Sequence, residues 1–247
     1  MALRTPPLAW TSAACTHVGA VRKVNEDAFL DQPQRGLWAV ADGMGGHQAG
    51  DVASRMIVEG LERLPEAGDC GALAQDVTRR LQDVNRRLRA EAARRYQHRT
   101  IGSTVAILLA HGDRGVCLWV GDSRVYRLRA GELRQLTRDH SHVQELLEQG
   151  LIQPHQARNH PMGNIITRAV GAAEQLEVDR IDLTLQPGDL FLLCTDGLNR
   201  AVTDGEIARC LSRGADAARE LLDLALVRGV NDNVTVIVVG IAAGRGG

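Results

Sequence analysis

Residues 102–136, GSTVAILLAHGDRGVCLWVGDSRVYRLRAGELRQL, decide the fold class. Ser103–Ala110 is an almost continuous apolar run, and apolar side chains alternate through Val116–Val120 before the turn residues Gly121-Asp122-Ser123. Residues 124–136 then run back through a second glycine turn. Short apolar runs separated by tight turns are typical of antiparallel strands. The stretch therefore predicts a β-meander.

Amphipathic helices are predicted on both sides of this block. Apolar residues recur every three or four positions over Gly50–Leu64, and a longer stripe joins Leu73 to Ala92. Thr203-x-x-Glu206 is a capping box that opens a short helix, and Asp216–Val227 fits a last one. Three further apolar runs are expected to be strands: Leu37–Ala41, Leu190–Thr195 and Val234–Val239. Strands and helices come in blocks without βαβ alternation, which favours an α+β fold with antiparallel sheets.

The composition predicts one domain over residues 1–247, with loose termini, because 44% of the chain is hydrophobic and no repeat or linker interrupts it.

Lys and Arg total 29 against 30 Asp and Glu, so the net charge of −1 excludes a general attraction to nucleic acid. Arginines cluster between Arg79 and Arg95. They leave an RNA-binding face as an alternative, but only Tyr96 interleaves them, which favours a solvated helix face.

Membrane insertion and secretion are not expected. No apolar run approaches the roughly 20 residues of a membrane helix, and the opening MALRTPPLAW lacks the apolar core of a secretory signal. Five cysteines, odd in number and never spaced C-x-x-C, indicate neither a disulfide framework nor a zinc ribbon. We therefore expect a cytoplasmic protein with thiols buried as small hydrophobic groups.

Acidic residues stand at the ends of the apolar runs. Asp42, Asp122 and Asp196 each follow one, Asp232 precedes another, and Glu26-Asp27 forms an adjacent pair. Any single Asp-Gly is explained as a turn, because Asp bonds its own backbone and Gly accepts positive φ. If several carboxylates converge, however, their repulsion requires a cation. Convergence itself is not readable from the sequence.

The chemistry of the ligand atoms indicates which cation would bind. An all-oxygen set without neighbouring Cys or regularly spaced His favours Mg²⁺ or Mn²⁺ over zinc. One carboxylate bridging two such ions, about 3.5–4 Å apart, would hold a bridging hydroxide that is nucleophilic near neutral pH. That chemistry suits hydrolysis of a phosphate ester.

Ordered sequence blocks resemble the bacterial branch of the metal-dependent PP2C (PPM) protein phosphatases. The blocks are VRKVNED from Val21, ADGMGGH from Ala41, Gly102-Ser103-Thr104, Gly121-Asp122-Ser123-Arg124, Asp139-His140-Ser141, NxxTRAVG from Asn164, Thr195-Asp196-Gly197-Leu198 and Asp232-Asn233-x-Thr235. The resemblance implies a four-layer α-β-β-α sandwich of two antiparallel sheets flanked by helices. It also implies removal of phosphate from phosphoserine and phosphothreonine in proteins.

The same resemblance implies a set of metal ligands and a phosphate contact. Asp42 matches the carboxylate that bridges two Mn²⁺ or Mg²⁺ ions, and Gly43 contributes its carbonyl. The other matched ligands are Asp196 and Asp232 for one ion, Glu26 and Asp27 for the second, directly or through water, and Asp122, shared with Asp196, for a possible third. For Asp122 the alternative is a turn residue of the meander. Arg22 matches the arginine that clamps the phosphate, where a guanidinium fork suits a phosphoryl dianion; the alternative is a surface arginine.

The general acid and the flap are less closely defined. Eukaryotic members carry a histidine after the Asp-Gly, whereas Met44 stands here, so His47 or a water on the third metal is left to protonate the leaving group. Histidines between His140 and His160 lack metal-site spacing and are expected to be structural or exposed. Ser141–Gly163 matches the mobile flap of the family, and we expect it to influence substrate choice.

The implied mechanism is direct attack of the metal-bridged hydroxide, without a phosphoenzyme. Cys194 lies in an apolar run and lacks a C-x5-R arrangement, so a cysteine route is not expected. A catalytically silent phosphoprotein-binding module is the alternative function, and a haloacid dehalogenase type is excluded because no N-terminal D-x-D occurs. The expected partners are a phosphorylated protein and a cognate Hanks-type Ser/Thr kinase, with the chain itself a monomer.

Overall fold

The computed structural model describes residues 8–45, 49–95, 100–157, 160–214 and 216–244. Its strands are β1 (Leu8–His17), β2 (Asp27–Gln32), β3 (Leu37–Met44), β4 (Gly102–Ser103), β5 (Val105–His111), β6 (Arg114–Val120), β7 (Arg124–Arg129), β8 (Glu132–Gln135), β9 (Asp179–Thr184), β10 (Leu190–Cys194) and β11 (Val234–Ala243). Its α-helices are α1 (Ala49–Glu62), α2 (Cys70–Arg95), α3 (His142–Glu148), α4 (Pro154–Ala157), α5 (Asp196–Ala201), α6 (Asp204–Leu211) and α7 (Ala217–Val227). A single 3₁₀ turn at Pro33–Arg35 joins β2 to β3.

The strands form two antiparallel sheets. One has the order β1-β11-β10-β7-β8, and the other has the order β2-β3-β5-β6-β9, with the short β4 paired to β3. The longest pairing joins β1 to β11 over ten residue pairs, from Leu8 opposite Ala243 to His17 opposite Val234. The first and last described strands are therefore neighbours, which brings the loop before β11 close to the loop after β1.

Three apolar cores fix the layer order. Helices α1 and α2 bury their stripes against β3, β5 and β6, whereas α5, α6 and α7 pack on β7, β10 and β11. A third core, with Trp38, Trp119 and Phe191, fills the space between the two sheets. The result is the α-β-β-α sandwich that the sequence resemblance implies, and the α+β prediction is confirmed.

The meander prediction is wrong in one respect. The turns of 102–136 are correct and the strand ends agree within two residues, except that Ser103–Ala110 divides into β4 and β5; but β5 and β6 lie in one sheet and β7 and β8 in the other. Side chains of β6 pack beneath α1 and α2, whereas Tyr126 and Leu128 of β7 pack beneath the C-terminal helices. The chain therefore crosses between sheets at Gly121–Ser123, because each strand is covered by a different helical layer.

The helical predictions agree with the structure. Both N-terminal helices form, and all six residues of the predicted α2 stripe, from Leu73 to Ala92, are buried. In the capping box, the Glu206 carboxylate accepts the Thr203 backbone N–H at 3.0 Å. Helix α7 begins one residue later than predicted. Strands β1, β2 and β9 lie outside the predicted elements because all three lack a long apolar run, being half-exposed edge strands.

The flap region, Ser141–Gly163, contains the two short helices α3 and α4. Ser141 caps α3, where its Oγ accepts the Gln144 backbone N–H at 3.3 Å, and α4 follows at Pro154. All five cysteines are free, and four of them are buried. In the described part of the chain, no helix has both the length and the apolar character that a membrane crossing requires.

Candidate metal centre

Acidic side chains from separate segments meet at one edge of the sandwich. Asp42 lies near the end of β3, Asp122 at the β6–β7 crossing and Asp196 at the first position of α5. Asp232 precedes β11, and Glu26 precedes β2. All of them line one cavity of about 270 Å³, together with Gly43 and Arg22. The strand ends that the sequence marked with aspartate therefore converge.

Asp27 supports the site from behind the cavity wall. It pairs directly across the sheet with Asp42, but its carboxylate points into the protein, where Oδ2 accepts hydrogen bonds from the Thr195 and Thr235 hydroxyls at 2.8 and 2.7 Å. Burial, partly offset by these two donors, raises the pKa of Asp27 to about 7. Asp27 therefore does not line the cavity as Glu26 does, although both precede or begin the same strand.

The carboxyl groups strongly affect one another. Loss of hydration, followed by the charges of Asp27 and Asp196, raises the pKa of Asp42 well above its usual range. Burial and the Asp196 charge raise the pKa of Asp122 to about 8. Burial also raises the pKa of Asp196, against the lowering effects of Arg200 and of a hydrogen bond with Asp42. For all of these carboxyl groups to be ionised at neutral pH, the desolvation and repulsion require a positive counter-charge.

Two arginines supply part of that charge. Arg22 reaches across the cavity to Asp232, with Nε and Nη2 each 3.0 Å from a carboxylate oxygen. Arg200 lies 2.6 Å from Asp196 Oδ2 and 3.8 Å from Asp122 Oδ2. Arg22 was predicted and is at the site, whereas Arg200 was not predicted.

Close backbone contacts hold the cavity wall in place. A Cβ on Gly43 would lie 2.0 Å from the Gly50 carbonyl oxygen, so β3 and the start of α1 approach at a distance that only glycine permits. The Gly43 N–H also donates to the Glu26 carbonyl at 3.1 Å, and the Gly50 N–H donates to the Glu26 carboxylate at 3.2 Å. Glu26 is thereby fixed next to the Gly43 backbone.

The donor chemistry fits a hard divalent cation. The cavity offers only carboxylate and carbonyl oxygens as strong donors, and Oδ1 atoms of Asp27 and Asp196 are buried without a hydrogen-bond partner. Across the described residues, no three His, Cys, Asp or Glu side chains already stand at the spacing of a metal site. Instead, Asp196 and Asp232 are turned toward Arg200 and Arg22. The residues suit Mn²⁺ or Mg²⁺ chemically, and binding requires these two arginine pairs to rearrange.

The sequence profile of the family described as Protein phosphatase 2C matches residues 16–224. The chain belongs to the protein phosphatase 2C family. The solved structure of PppA, described as a key regulatory component of T6SS in Pseudomonas aeruginosa, has 47% sequence identity and a TM-score of 0.87, and the match covers 94% of this chain and 98% of that one.

A mycobacterial relative, PstP, has a solved structure that contains metal ions. The serine/threonine protein phosphatase PstP of Mycobacterium tuberculosis is 36% identical over 231 residues, which cover 93% of this chain and 44% of PstP. This chain therefore spans less than half the length of that relative. The solved catalytic domain of PstP, in complex with two manganese ions, matches with 35% identity and a TM-score of 0.84, covering 95% of this chain and 99% of that one.

Some residues that organise this phosphatase 2C site were not assigned a role from the sequence. Asn233 accepts the Glu26 N–H at 2.8 Å and donates to the Val18 and Val24 carbonyls at 2.9 and 3.1 Å. It therefore ties the loop that carries Arg22 to the start of β11. Its signal was its place beside Asp232, and the signal for Arg200 was its i,i+4 spacing from Asp196 on a helix.

Two histidine predictions have different outcomes. His47, the candidate general acid, lies outside the described residues. His140 is buried and structural, as expected. Its Nδ1 accepts the Gly121 N–H at 3.0 Å, its ring stacks on Trp119, and Nε2 lies 3.3 Å from Asp179. His140 therefore supports the crossing that carries Asp122.

Proposed function

We propose that this chain is a metal-dependent protein phosphatase that hydrolyses phosphoserine and phosphothreonine. The observation that carries the proposal is the convergence of acids from five chain segments on one cavity, with Arg22 beside them. The relatives named serine/threonine phosphatase support the same substrate class. Their activity on proteins is proposed here for this chain because the family match over residues 16–224 contains every acid of the cluster except Asp232.

The residues divide into metal-holding and phosphate-binding groups. Asp42, Gly43, Asp196 and Asp232 would hold one ion, and Asp42 with Glu26 would hold a second, which Asp27 would reach only through water because its carboxylate points away from the cavity. Asp122 and Asp196 would share a weaker third. Bound Mn²⁺ or Mg²⁺ supplies a Lewis acid and lowers the pKa of water. The PstP catalytic domain was solved with two manganese ions, which supports the binding of two ions by this chain.

Arg22 binds the phosphoryl group of the substrate in this account. Its guanidinium, whose side chain is half exposed, offers the planar fork that pairs with phosphate oxygens. Negative charge develops on those oxygens in the transition state, so a fixed cation there lowers the barrier. In this structure both oxygens of the Asp232 carboxylate accept hydrogen bonds from Arg22 and hold it at the cavity rim.

A covalent cysteine mechanism is not supported. Cys194 is fully buried in β10, and burial raises the pKa of its thiol to about 12. We therefore propose direct hydrolysis without a phosphoenzyme, with a Ser/Thr kinase as the opposing enzyme. The catalytically silent alternative is disfavoured because Arg22 and five of the six matched acids line the same cavity.

Asp196→Asn tests the proposal. Loss of this carboxylate removes a ligand of two proposed ions, so Mn²⁺-dependent hydrolysis of a phosphothreonine peptide should fall by at least about 10³-fold, as for loss of a principal catalytic group. Phosphate release is measured with and without a chelator. Asp223→Asn, an exposed acid of α7, and Cys194→Ser are controls that should keep most of the activity. Near-normal turnover by Asp196→Asn, or equal turnover in chelator, would overturn the assignment.

A further inference from the structure

Arg200 stands where two concave regions meet. It lines the acidic cavity, and it also lines a neighbouring cleft of about 410 Å³ between the flap and helices α5 and α6. Asn164, at the end of the flap, lines both regions as well. The guanidinium is therefore positioned to connect events at the acids with the position of the flap.

On one side, Arg200 contacts acids that matter for the cation. Nη2 lies 2.6 Å from Asp196 Oδ2 and 3.8 Å from Asp122 Oδ2. Both carboxylates are largely buried, so the pair is less screened by solvent than an ordinary surface ion pair. These are also the two carboxylates proposed to share the third ion.

On the other side, Arg200 holds the flap. Nη2 donates to the Gly163 carbonyl at 3.1 Å, and Nη1 donates to Asn164 Oδ1. The chain then returns to the flap entrance, where the His142 N–H donates to the Ile165 carbonyl at 2.9 Å. The guanidinium fork thus binds the last turn of the flap and the acid cluster at the same time.

We propose that Arg200 is a positioning residue that fastens the flap to the acidic cluster and competes with a divalent cation for Asp196 and Asp122. Two positive groups cannot both occupy the space beside Asp196, because their repulsion is strong at this distance. Metal at this position therefore releases Arg200 from Asp196, and the release loosens its contacts with Gly163 and Asn164. By linkage, a tightly held flap weakens metal binding by the same factor. The catalytic meaning of this coupling rests on the proposed function, but the competition itself does not.

The experiment combines two measurements on the folded full chain. Hydrogen exchange of residues 141–166 reports the flap, and calorimetric Mn²⁺ titration reports cation affinity. Arg200→Gln should speed flap exchange at least fivefold in metal-free protein and tighten the weakest Mn²⁺ site about tenfold, within the usual range of coupling. In the wild type, Mn²⁺ should speed hydrogen exchange of the flap. In Arg200→Gln, Mn²⁺ should change the exchange rate of the flap little, because the contact that it releases is already missing.

Further variants separate the two contacts. Asn164→Ala removes one contact of Arg200 with the flap, so it should speed flap exchange and, by the same linkage, tighten the weakest Mn²⁺ site by less than Arg200→Gln does. Arg200→Lys keeps the charge beside Asp196 but lacks the planar fork, so it should loosen the flap while tightening that site by less than Arg200→Gln does. If Arg200→Gln fails to fold, Arg200→Lys still tests the contact between Arg200 and the flap. Arg213→Gln, an exposed arginine paired with Glu220, controls for loss of one positive charge and should change neither readout.

The proposal is overturned if Arg200→Gln leaves flap exchange unchanged, or if its Mn²⁺ affinity is equal to or weaker than that of the wild type. Neither readout depends on turnover. A wild type that binds Mn²⁺ in competition with Arg200 but hydrolyses no phosphopeptide would contradict the proposed function alone. If the chain is a Mn²⁺-dependent phosphatase but Arg200→Gln changes neither flap hydrogen exchange nor Mn²⁺ affinity, this inference alone is contradicted.

Discussion

Asp27 and Glu26 are neighbours in sequence but occupy different environments. Glu26 faces the cavity and accepts the Gly50 N–H, whereas Asp27 is buried and accepts two threonine hydroxyls. The sequence indicated that both are acidic and adjacent, which made them equivalent candidates. The alternation of side chains along β2 separates them, and that register depends on pairing with β3.

Thr235→Val tests the support of Asp27. The change removes one of the two hydroxyl donors to the buried carboxylate, which should lower the free energy of unfolding by about 1–3 kcal/mol. Urea denaturation of the metal-free protein measures this. Thr11→Val, an exposed threonine on the edge strand β1, is the matched control and should change stability little. Equal stability of the two variants would show that Asp27 does not depend on its hydroxyl partners.

His140 gives the protein an acid-sensitive contact. Burial and the Arg168 charge lower its pKa below the usual value, against the raising effect of Asp179 and Asp139. The unfolded chain takes up this proton near pH 6.5 while the folded chain resists it. The stabilising contribution is therefore complete above the unfolded pKa and is lost as pH falls through the folded pKa.

His140→Gln should remove that part of the acid sensitivity. Between pH 7.5 and pH 5, the wild type should lose more unfolding free energy than the variant, because only the wild type carries the imidazole whose pKa is lowered on folding. Urea denaturation at each pH gives the difference. His111→Gln, on the exposed end of β5, serves as the control. Parallel pH profiles for the wild type and His140→Gln would refute this role.

The crossing from β6 to β7 illustrates what a turn pattern reveals at the level of elements. Gly121-Asp122-Ser123 predicted a reversal, and a reversal occurs. The change of sheet was not predictable, because apolar residues on both faces of a strand do not indicate which helical layer will cover it. Helices α1 and α2 were easier to predict, since a one-sided stripe identifies both the helix and its buried face.

Gly121→Ala tests the geometry of this crossing. Gly121 has φ of +106°, and a Cβ there would lie 2.5 Å from the Thr104 Cβ. Gly112 also has positive φ, at +57°, but no atom within 4 Å of a Cβ. Gly112→Ala should therefore cost about 1 kcal/mol for the backbone alone, whereas Gly121→Ala should cost at least about 2 kcal/mol because packing strain is added. Thermal and urea unfolding compare them, and equal losses would contradict the crowding at Gly121.

At the scale of the whole molecule, the two sheets bring the acids together. Asp42 belongs to one sheet, whereas Asp196 and Asp232 flank strands of the other. The sequence predicted which acids matter through their strand-end positions and the family blocks. It did not predict Arg200 as their counter-charge, because the i,i+4 spacing of Asp196 and Arg200 matters only once α5 is known to be a helix, and no helix was predicted there.

Convergence has a cost that a bound cation offsets. Buried carboxylates that repel one another destabilise the fold, and metal binding converts the same repulsion into affinity. Asp42 experiences the charges of four other aspartates. It is therefore the position at which loss of one carboxylate should weaken cation binding most.

Calorimetric titration of Mn²⁺ into the wild type and Asp42→Asn measures this dependence. We predict at least two ions bound per wild-type chain, and an affinity at least about tenfold weaker in Asp42→Asn, which is a loss of about 1.4 kcal/mol or more. A wild type that binds no Mn²⁺, or an Asp42→Asn variant that binds as many ions as tightly, would contradict the account.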